Sequence, residues 1–473
     1  MNNTEQFKRI IKWLSSCVII CAEMAVYWIV WIAYYNQNIE LPFFRKGNWL
    51  MAAMFGVLLY FFSKIYGGLK IGYLKFGDVI YSQILALFCT TVITYFQICL
   101  LDRHFVNAVP LLAMMAAQVV IIILWTFAFQ KIYASLFPPR RMLLIYGDRP
   151  AFGLKEKIDS RSDKYIICEA IHIDSGWDSI YKAIHRHEAV IIGDISSEAR
   201  NEILKYCFSN SIRIYMLPKI SDIIVRGSED IHLFDSPLLL SRNGGFTIEQ
   251  KIIKRTTDIV ISMIALILCS PVMLITAIAI KLYDGGSIIH KQIRLTMGGR
   301  EFYVYKFRSM IEQAEKEGFA RLAEKDDPRI TPVGKIIRRT RIDELPQFIN
   351  VLRGEMSLVG PRPERPMIAA EYSSYMPEFH YRLKVKGGLT GYAQIYGKYN
   401  TTPYDKLKLD LMYIENYSFW LDIKLILMTI KIIFMKESTE GIAEGQITAT
   451  ADPNIYLKHL EYQYEEDKGS AGK

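Results

Sequence analysis

The chain has 473 residues and a mass of 54.6 kDa, too long for one compact domain, so two or three are expected. Hydrophobic residues make up 51% and aromatics 13%. A mean hydropathy of +0.15 excludes intrinsic disorder and places part of the chain in lipid, while 22% charged residues require a globular remainder. Lys+Arg 57 against Asp+Glu 48 leaves +9, an excess suited to anionic lipid heads or phosphate-bearing substrates. The seven cysteines include no CxxC pair, which argues against a disulfide framework and a cysteine zinc site.

Four apolar runs occupy residues 1–135: Trp13–Tyr35, Trp49–Ile65, Val79–Leu101 and Val109–Tyr133. Each is near the roughly 20 residues that cross a hydrocarbon core. The first is Trp-rich and lacks a small-residue cleavage site, unlike a signal peptide. Lys8, Arg9, Lys12, Lys64, Lys70, Lys75, Lys131, Arg140 and Arg141 fall on one side, against Arg45, Lys46 and Arg103 on the other. That bias predicts both termini in the cytoplasm. Glu23 is the ionisable exception within the runs, so an anchor is expected rather than a transport pathway.

Residues 140–240 change character. Met142–Tyr146, Tyr165–Ile173, Ala189–Ile192 and Arg213–Leu217 read as strands, with helical patterns over Trp177–His187 and Ser197–Ser209. Strands alternating with helices predict a parallel α/β sheet. The first turn, Gly147-Asp-Arg-Pro-Ala-Phe-Gly153, does not give GxGxxG, and Pro150 would obstruct a pyrophosphate. A degenerate Rossmann-like module, used for packing or regulation, is expected. The two Tyr-x-x-x-Lys matches, Tyr60/Lys64 and Tyr404/Lys408, lie outside it. An NAD-dependent sugar-modifying enzyme is therefore disfavoured. Gly227–Gly245 reads as a linker.

Ile259–Leu282 is apolar again, but Ser270-Pro271 sits at its middle, where proline removes a backbone donor and kinks a helix. Lys251, Lys254 and Arg255 precede it and Lys281, Lys291 and Arg294 follow. Cations at both ends predict a kinked re-entrant hairpin of helix that keeps both ends cytoplasmic; the alternative is a fifth span.

Arg329, Lys335, Arg338, Arg339 and Arg341 then cluster just before Asp343-Glu344. Two readings stand open: a solvated ion-pair network, or arginines that hold phosphate oxygens while the carboxylates bind a metal or attack phosphorus. Arg362, between Pro361 and Pro363, sits on stiff extended backbone, suited either to phosphate or nucleotide recognition or to a structural turn. Ser418–Met435 is apolar on one face, an interfacial helix or a core helix. The tail after Ala451 reads as solvated and mobile. Nucleic-acid binding is not expected, because the basic residues sit beside acids rather than among exposed aromatics.

Ordered blocks make the carboxy-terminal third resemble the bacterial sugar transferases, the polyprenyl-phosphate phosphoglycosyl transferases. They are Lys254-Arg-Thr-Thr-Asp258, Gln292-Ile-Arg294, Tyr305-Lys-Phe-Arg-Ser-Met310, Asp327-Pro-Arg-Ile-Thr-Pro-Val-Gly-Lys335, Arg338-Arg-Thr-Arg-Ile-Asp-Glu-Leu-Pro-Gln347, Asn350-Val-Leu352, Gly354–Glu364, Gly388-Leu-Thr-Gly-Tyr-Ala-Gln394 and Asp410–Asp422. Lys386-Gly387 departs from the family's Lys-Pro and is expected to loosen a turn.

The resemblance implies a multidomain membrane protein of the family's large form: transmembrane helices in 1–135, a Rossmann-like cytoplasmic module in 140–240, an α+β catalytic domain in 248–440 with its re-entrant helix at 259–282, and a tail from 441. It implies transfer of a sugar 1-phosphate from a UDP-sugar to undecaprenyl phosphate, releasing UMP, at the cytoplasmic face of the bacterial inner membrane. Asp343 is then the nucleophile, forming an aspartyl-phosphosugar, and Glu344 the ligand of Mg²⁺. Arg338, Arg362, Lys306, Arg308 and Gln347 are implied to bind substrate, Ser270-Pro271 to mark the re-entrant kink, and the large form to act as a homodimer. The rival is a non-catalytic scaffold of polysaccharide assembly, which the presence of both Asp343 and Glu344 disfavours.

Overall fold

The computed structural model describes residues 7–147, 152–233, 235–241, 245–311, 327–397 and 401–433. Its contacts divide into two compact units, 1–217 and 218–473.

The first unit opens with α1 (Lys8–Val30), which continues through a π-helical turn, Trp31–Tyr35, and on to Asn38. α2 (Lys46–Tyr66), α3 (Phe76–Asp102) and α4 (Val109–Leu136) follow. All four are long and apolar enough to cross a membrane. Ile19, Tyr27 and Trp31 repeat at helical spacing on the buried face of α1 and meet Phe55 and Leu59 of α2, Leu87 of α3 and Ile122 of α4. Polar groups pin the interior. Trp125 Nε1 donates to the Ser15 carbonyl (3.0 Å), Gln118 Nε2 to the Glu23 carbonyl (2.9 Å) and Trp31 Nε1 to Asn48 Oδ1 (2.8 Å).

The same unit continues into a four-stranded parallel sheet built from β1 (Arg140–Tyr146), β2 (Tyr165–His172), β3 (Ala189–Ile192) and β4 (Arg213–Met216), in the order β2-β1-β3-β4. The crossovers are α5 (Phe152–Asp159), α6 (Trp177–Arg186) and α7 (Ser197–Ser209). β1 and β3 are central and buried along most of their length, which is why Leu-Leu-Ile and Ala-Val-Ile-Ile read as unbroken apolar runs. The parallel α/β sheet expected from the sequence is present. Residues 148–151 of its first turn, where the glycine fingerprint is missing, lie outside the described residues.

The sheet ends at Met216, and residues 218–240 belong to the second unit rather than to the module or a linker. α8 (Ile220–Arg226) places Ile220 and Ile223 in the second unit's core, because its short apolar face finds Leu407, Leu411 and Ile414 there. β5 (Glu229–Leu233) and β6 (Ser236–Leu240) form an exposed antiparallel hairpin.

α9 (Ile248–Asp284) is a single run of 37 residues, about 55 Å of helix, capped by Thr247 and Gln250 at its start. Pro271 lies inside it, at the place where the sequence predicts the kink. Proline removes the N–H that would bond the Ile267 carbonyl, and Ser270 Oγ donates to that carbonyl instead (2.8 Å). Both ends of α9 are tied to the same unit. Near the start, Arg255 donates to the Val351 and Leu352 carbonyls (2.6 and 2.7 Å), and Asp258 accepts from Leu358 N–H (2.9 Å) and Ser357 Oγ (3.1 Å). Near the end, Met273, Ala277 and Ile280 contact Phe307 and Ile337. Residues 263–275 between them include no buried side chain, and Ile267, Leu268 and Ile275 are among the most exposed apolar residues there.

The rest is a compact α+β body. β7 (Ile289–Leu295) and β8 (Glu301–Phe307) form an antiparallel pair. α10 (Pro332–Arg339), a 3-10 turn (Ile342–Glu344), α11 (Gln347–Arg353), β9 (Ser357–Val359), α12 (Pro366–Tyr375), a 3-10 segment (Pro377–Lys384), β10 (Gly388–Thr390), α13 (Tyr392–Tyr396), α14 (Pro403–Glu415) and α15 (Phe419–Ile433) complete it. Val351, Met356, Leu358, Val359, Leu407 and Leu425 form its centre. α15 buries Asp422, Leu425 and Lys431 there, so the stretch left open between interface and core gives one face to the core. The tail beyond 433 lies outside the described residues.

Candidate active site

Asp343-Glu344 is presented by a short turn with a defined entry. Thr331 caps α10 by accepting from Gly334 N–H (2.9 Å), with Pro332 at the first helical position. Gly334 is required because a Cβ there would lie 1.9 Å from the Ser309 carbonyl oxygen. Arg341 then adopts a left-handed conformation (φ +55°, ψ +21°), uncommon for a residue with a Cβ, and turns the chain into the Ile342–Glu344 segment. Ile342 fastens the turn to α9 through the Ile280, Phe307 and Ile337 cluster.

Three cations from three elements close on Glu344. Lys306 Nζ from β8 lies 3.0 Å from Oε1, Arg362 NH2 from the β9–α12 loop 2.9 Å from the same oxygen, and Arg341 NH1 3.7 Å from Oε2. Burial acts to raise the Glu344 carboxyl, but Lys306, Arg362 and Arg341 outweigh it and hold the group well below the usual carboxylate range. Asp343 is treated differently. Among the described residues it makes no hydrogen bond or ion pair, and its carboxyl is pushed up to about 6 by burial and by the Glu344 charge, against Lys306, Arg338 and Arg341. Lys306 is lowered by burial, opposed by Glu344; Arg362 is raised by Glu344.

The supports of these cations are built from residues whose roles the sequence left blank. Asn350 of α11 accepts from Tyr305 N–H (3.0 Å) and donates to the Tyr303 carbonyl (2.7 Å), fixing β8 and so Lys306. The Arg362 loop is held by Gly360 N–H to the Thr390 carbonyl (2.9 Å) and Gly388 N–H to the Pro361 carbonyl (2.9 Å). Arg382 donates to the Arg362 carbonyl (2.7 Å) while paired with Asp410 (2.8 Å). Gly387, which stands where the family has proline, donates its N–H to Thr296 Oγ1 (3.4 Å), a bond proline could not make.

Arg362 also lines a cavity of about 250 Å³ with Pro361, Pro363, Ala369, Phe379 and Val385, mostly apolar, with Glu364, Ser373, His380 and Arg382 at its wall. Arg294, bonded to Gln292 and the Pro363 carbonyl, is pushed down to about 10 by burial and by Arg362.

The predicted site residues therefore divide. Asp343, Glu344, Lys306, Arg362 and, through its charge, Arg338 converge. Gln347 begins α11 with its side chain buried, and its Nε2 has no partner among the described residues. Arg308 does not join them: its guanidinium pairs with Asp284 at the end of α9, and Gly286 leaves room for it. Ser270-Pro271 lies on α9, in the exposed stretch. Asn350 falls in a family block but its clamp on β8, like Arg341's backbone, cannot be read from a single sequence, since both depend on segments brought together by the fold.

A family model described as bacterial sugar transferase matches residues 249–436. The UDP-N-acetylgalactosamine-undecaprenyl-phosphate N-acetylgalactosaminephosphotransferase of Aeromonas hydrophila is 38% identical over 258 residues, 52% of this chain and 59% of that protein. The UDP-glucose:undecaprenyl-phosphate glucose-1-phosphate transferase of Escherichia coli K12 is 40% identical over 211 residues, 44% of each chain. The chain thus spans about half the length of these two relatives. The sugar transferase EpsL of Bacillus subtilis, itself uncharacterised, is 34% identical over 204 residues, 42% of this chain and 98% of that protein. With the family model matched and 98% of a small relative covered, the chain belongs to the bacterial sugar transferase family.

Proposed function

We propose that the second unit transfers a sugar 1-phosphate from a UDP-sugar to undecaprenyl phosphate, opening the assembly of a cell-surface polysaccharide. The observation that carries the chemistry is the asymmetry of the Asp343–Glu344 pair: one carboxylate locked by Lys306, Arg362 and Arg341, its neighbour unpaired and facing the same cations. An unpaired carboxylate in a cationic, partly dry site suits attack on a diphosphate.

An Asp343 carboxylate oxygen forms a bond to the β-phosphorus, and the bond from that phosphorus to the oxygen bridging to the α-phosphate breaks. UMP departs with the electron pair, leaving an aspartyl-phosphosugar. A phosphate oxygen of the polyprenyl acceptor then attacks the same phosphorus, and the Asp343 carboxylate leaves as the polyprenyl diphosphosugar forms. Lys306, Arg338 and Arg362 hold the anionic oxygens through both steps. The apolar cavity beside Arg362 suits the base end of the donor.

Mg²⁺ fits the donor set. The ion takes one or two carboxylates and completes its shell with phosphate oxygens and water, and Glu344 would supply a carboxylate. No cluster of three or more ligating side chains occurs among the described residues, so the donor's phosphates would share in holding the ion. When bound, it would neutralise diphosphate charge and assist departure of UMP.

α9 and the bias in lysine and arginine support a membrane placement. A helix anchored at both ends to one body, with an exposed apolar stretch around Pro271, suits a re-entrant dip that returns both ends to the cytoplasmic face of the inner membrane. α1 to α4 would then span the bilayer, with the large form paired as a homodimer. Covalent catalysis suits this geometry, since the soluble donor and the lipid acceptor need not occupy the site together.

The test is UMP release by the purified protein with Mg²⁺, undecaprenyl phosphate and a panel of UDP-sugars. Release with one sugar, dependent on the lipid for more than one turnover, is expected. Silence across the panel with intact, folded protein would turn the reading toward a scaffold.

A further inference from the structure

The segment that carries Arg362 into the site is fastened one carbonyl at a time. Residues 361–364 run Pro-Arg-Pro-Glu, so the two prolines offer no N–H, and Pro363 confines Arg362 to extended backbone. Four successive carbonyls each accept a hydrogen bond. Backbone takes the outer two: Gly388 N–H donates to Pro361 and Leu295 N–H to Glu364, both at 2.9 Å. Side chains take the inner two: Arg382 NH2 donates to the Arg362 carbonyl (2.7 Å) and Arg294 NH1 to that of Pro363 (3.0 Å).

The entry to the segment is set by backbone against backbone. A Cβ at Gly388 would lie 2.1 Å from Gly360 N, and one at Gly391 would lie 2.1 Å from the Gly360 carbonyl oxygen. Past that point the direction of the Arg362 peptide depends on Arg382, whose own aim is set by carboxylates. The NH2 nitrogen that bonds the Arg362 carbonyl lies 2.8 Å from Asp410 Oδ2 on α14, and NH1 lies 3.6 Å from Glu364 Oε1. The guanidinium also stands 4.9 Å from the centre of the Phe379 ring. Two further cations act on these acids: Lys406, one turn before Asp410 on α14, and Arg294, 3.7 Å from Glu364 Oε2. Arg382 and Asp410 are both buried, and a buried ion pair adds little net stability over a well-packed apolar pair. What sets this pair apart is its bond to Arg362, whose guanidinium meets Glu344 at 2.9 Å.

We infer that Asp410 and Arg382 are positioning residues for the transfer step: Asp410 aims Arg382 at the Arg362 carbonyl, and that bond holds the Arg362 guanidinium where the phosphate oxygens gather charge. The inference rests on the transferase reading of the site. Without the bond Arg362 remains in a folded protein, but its guanidinium is no longer directed onto the reacting phosphate. Asp410 is not among the residues lining the cavity beside Arg362, so its loss should be felt in turnover rather than in donor binding.

A double-mutant cycle on the full chain tests this, read as UMP release with Mg²⁺, UDP-sugar and undecaprenyl phosphate and expressed per folded molecule from thermal melts. Asp410→Asn and Arg382→Met should each lower kcat about 30-fold, with the donor KM changed less than about threefold, and Arg362→Gln about 10²-fold. Adding either change to Arg362→Gln should cost no more than about threefold further, because the group they position is already gone. Arg382→Lys, which keeps one donor nitrogen, should recover to within about fivefold of the parent. Should Asp410→Asn fail to fold, the Arg382 arm completes the same cycle. Losses that multiply in full, or Arg382→Lys no better than Arg382→Met, would overturn the positioning role while the parent's UMP release leaves the transferase standing. A parent silent with every UDP-sugar would sink the transferase reading and this role with it.

Discussion

Lys254 on α9 and Lys306 on β8, both in the second unit, each face a carboxylate, and their surroundings differ in one respect. Lys254 Nζ bonds Asp422 Oδ2 (2.6 Å) and Tyr413 OH (3.0 Å), and Tyr413 OH in turn donates to Asp422 Oδ1 (2.8 Å). The ammonium, the phenol and the carboxylate satisfy one another inside the core. Lys306 meets Glu344, and Arg362 meets it too, yet Asp343 beside them has no partner among the described residues. Closure in the first cluster makes it a joint between α9 and the α+β body. Incompleteness in the second leaves reactive charge for a substrate to complete.

The contrast can be broken at either end. Asp343→Asn should lower transfer about 10⁴-fold with little change in thermal stability, since no protein partner is lost. Retained activity, followed by UMP release, would remove Asp343 as nucleophile. Lys254→Met should do the reverse. Stranding Asp422 in the core should cost about 3–5 kcal/mol of stability, read as a lower melting temperature, while the folded fraction keeps its turnover. A variant as stable as the parent would show that the joint is not structural.

Smaller changes sharpen the picture. Glu344→Gln should reduce turnover about 10²-fold and weaken the response to Mg²⁺, because the cations lose the charge that orders them. An unchanged Mg²⁺ titration would contradict the proposed ligand. The pH effect follows from Asp343, whose carboxyl titrates at about 6 and reacts only when ionised. The kcat/KM of the donor step should therefore rise from pH 5 to 7 with an inflection near 6, then level off; the value belongs to the Asp343–Glu344 pair jointly. A profile flat across that window would contradict the raised carboxyl.

What could be read from the sequence follows from how local each signal is. The four apolar runs and the strands of 140–216 announce themselves through their own composition, and each appears within a few residues of its expected place. Asp343-Glu344 was legible through the surrounding motif. The distinction between Lys306 and Arg308 was not, because two cations two residues apart on a strand end look alike until Glu344 and Asp284 are placed opposite them. Lys254 and Asp258 find their partners 168 and 100 residues away, at Asp422 and Leu358, a separation no spacing rule spans. That Pro271 interrupts a helical bond could be read, but not that Ser270 Oγ would take up the freed Ile267 carbonyl.

The central claim is that Asp343 carries the phosphosugar. Intact-mass analysis of the protein mixed with its UDP-sugar and Mg²⁺, without lipid acceptor, tests it most directly. The account predicts a mass gain of one sugar phosphate, located on the peptide bearing Asp343, absent from Asp343→Asn and discharged on adding undecaprenyl phosphate. Transfer to the lipid at full rate with no such adduct at any time, under conditions that trap acyl phosphates, would contradict it.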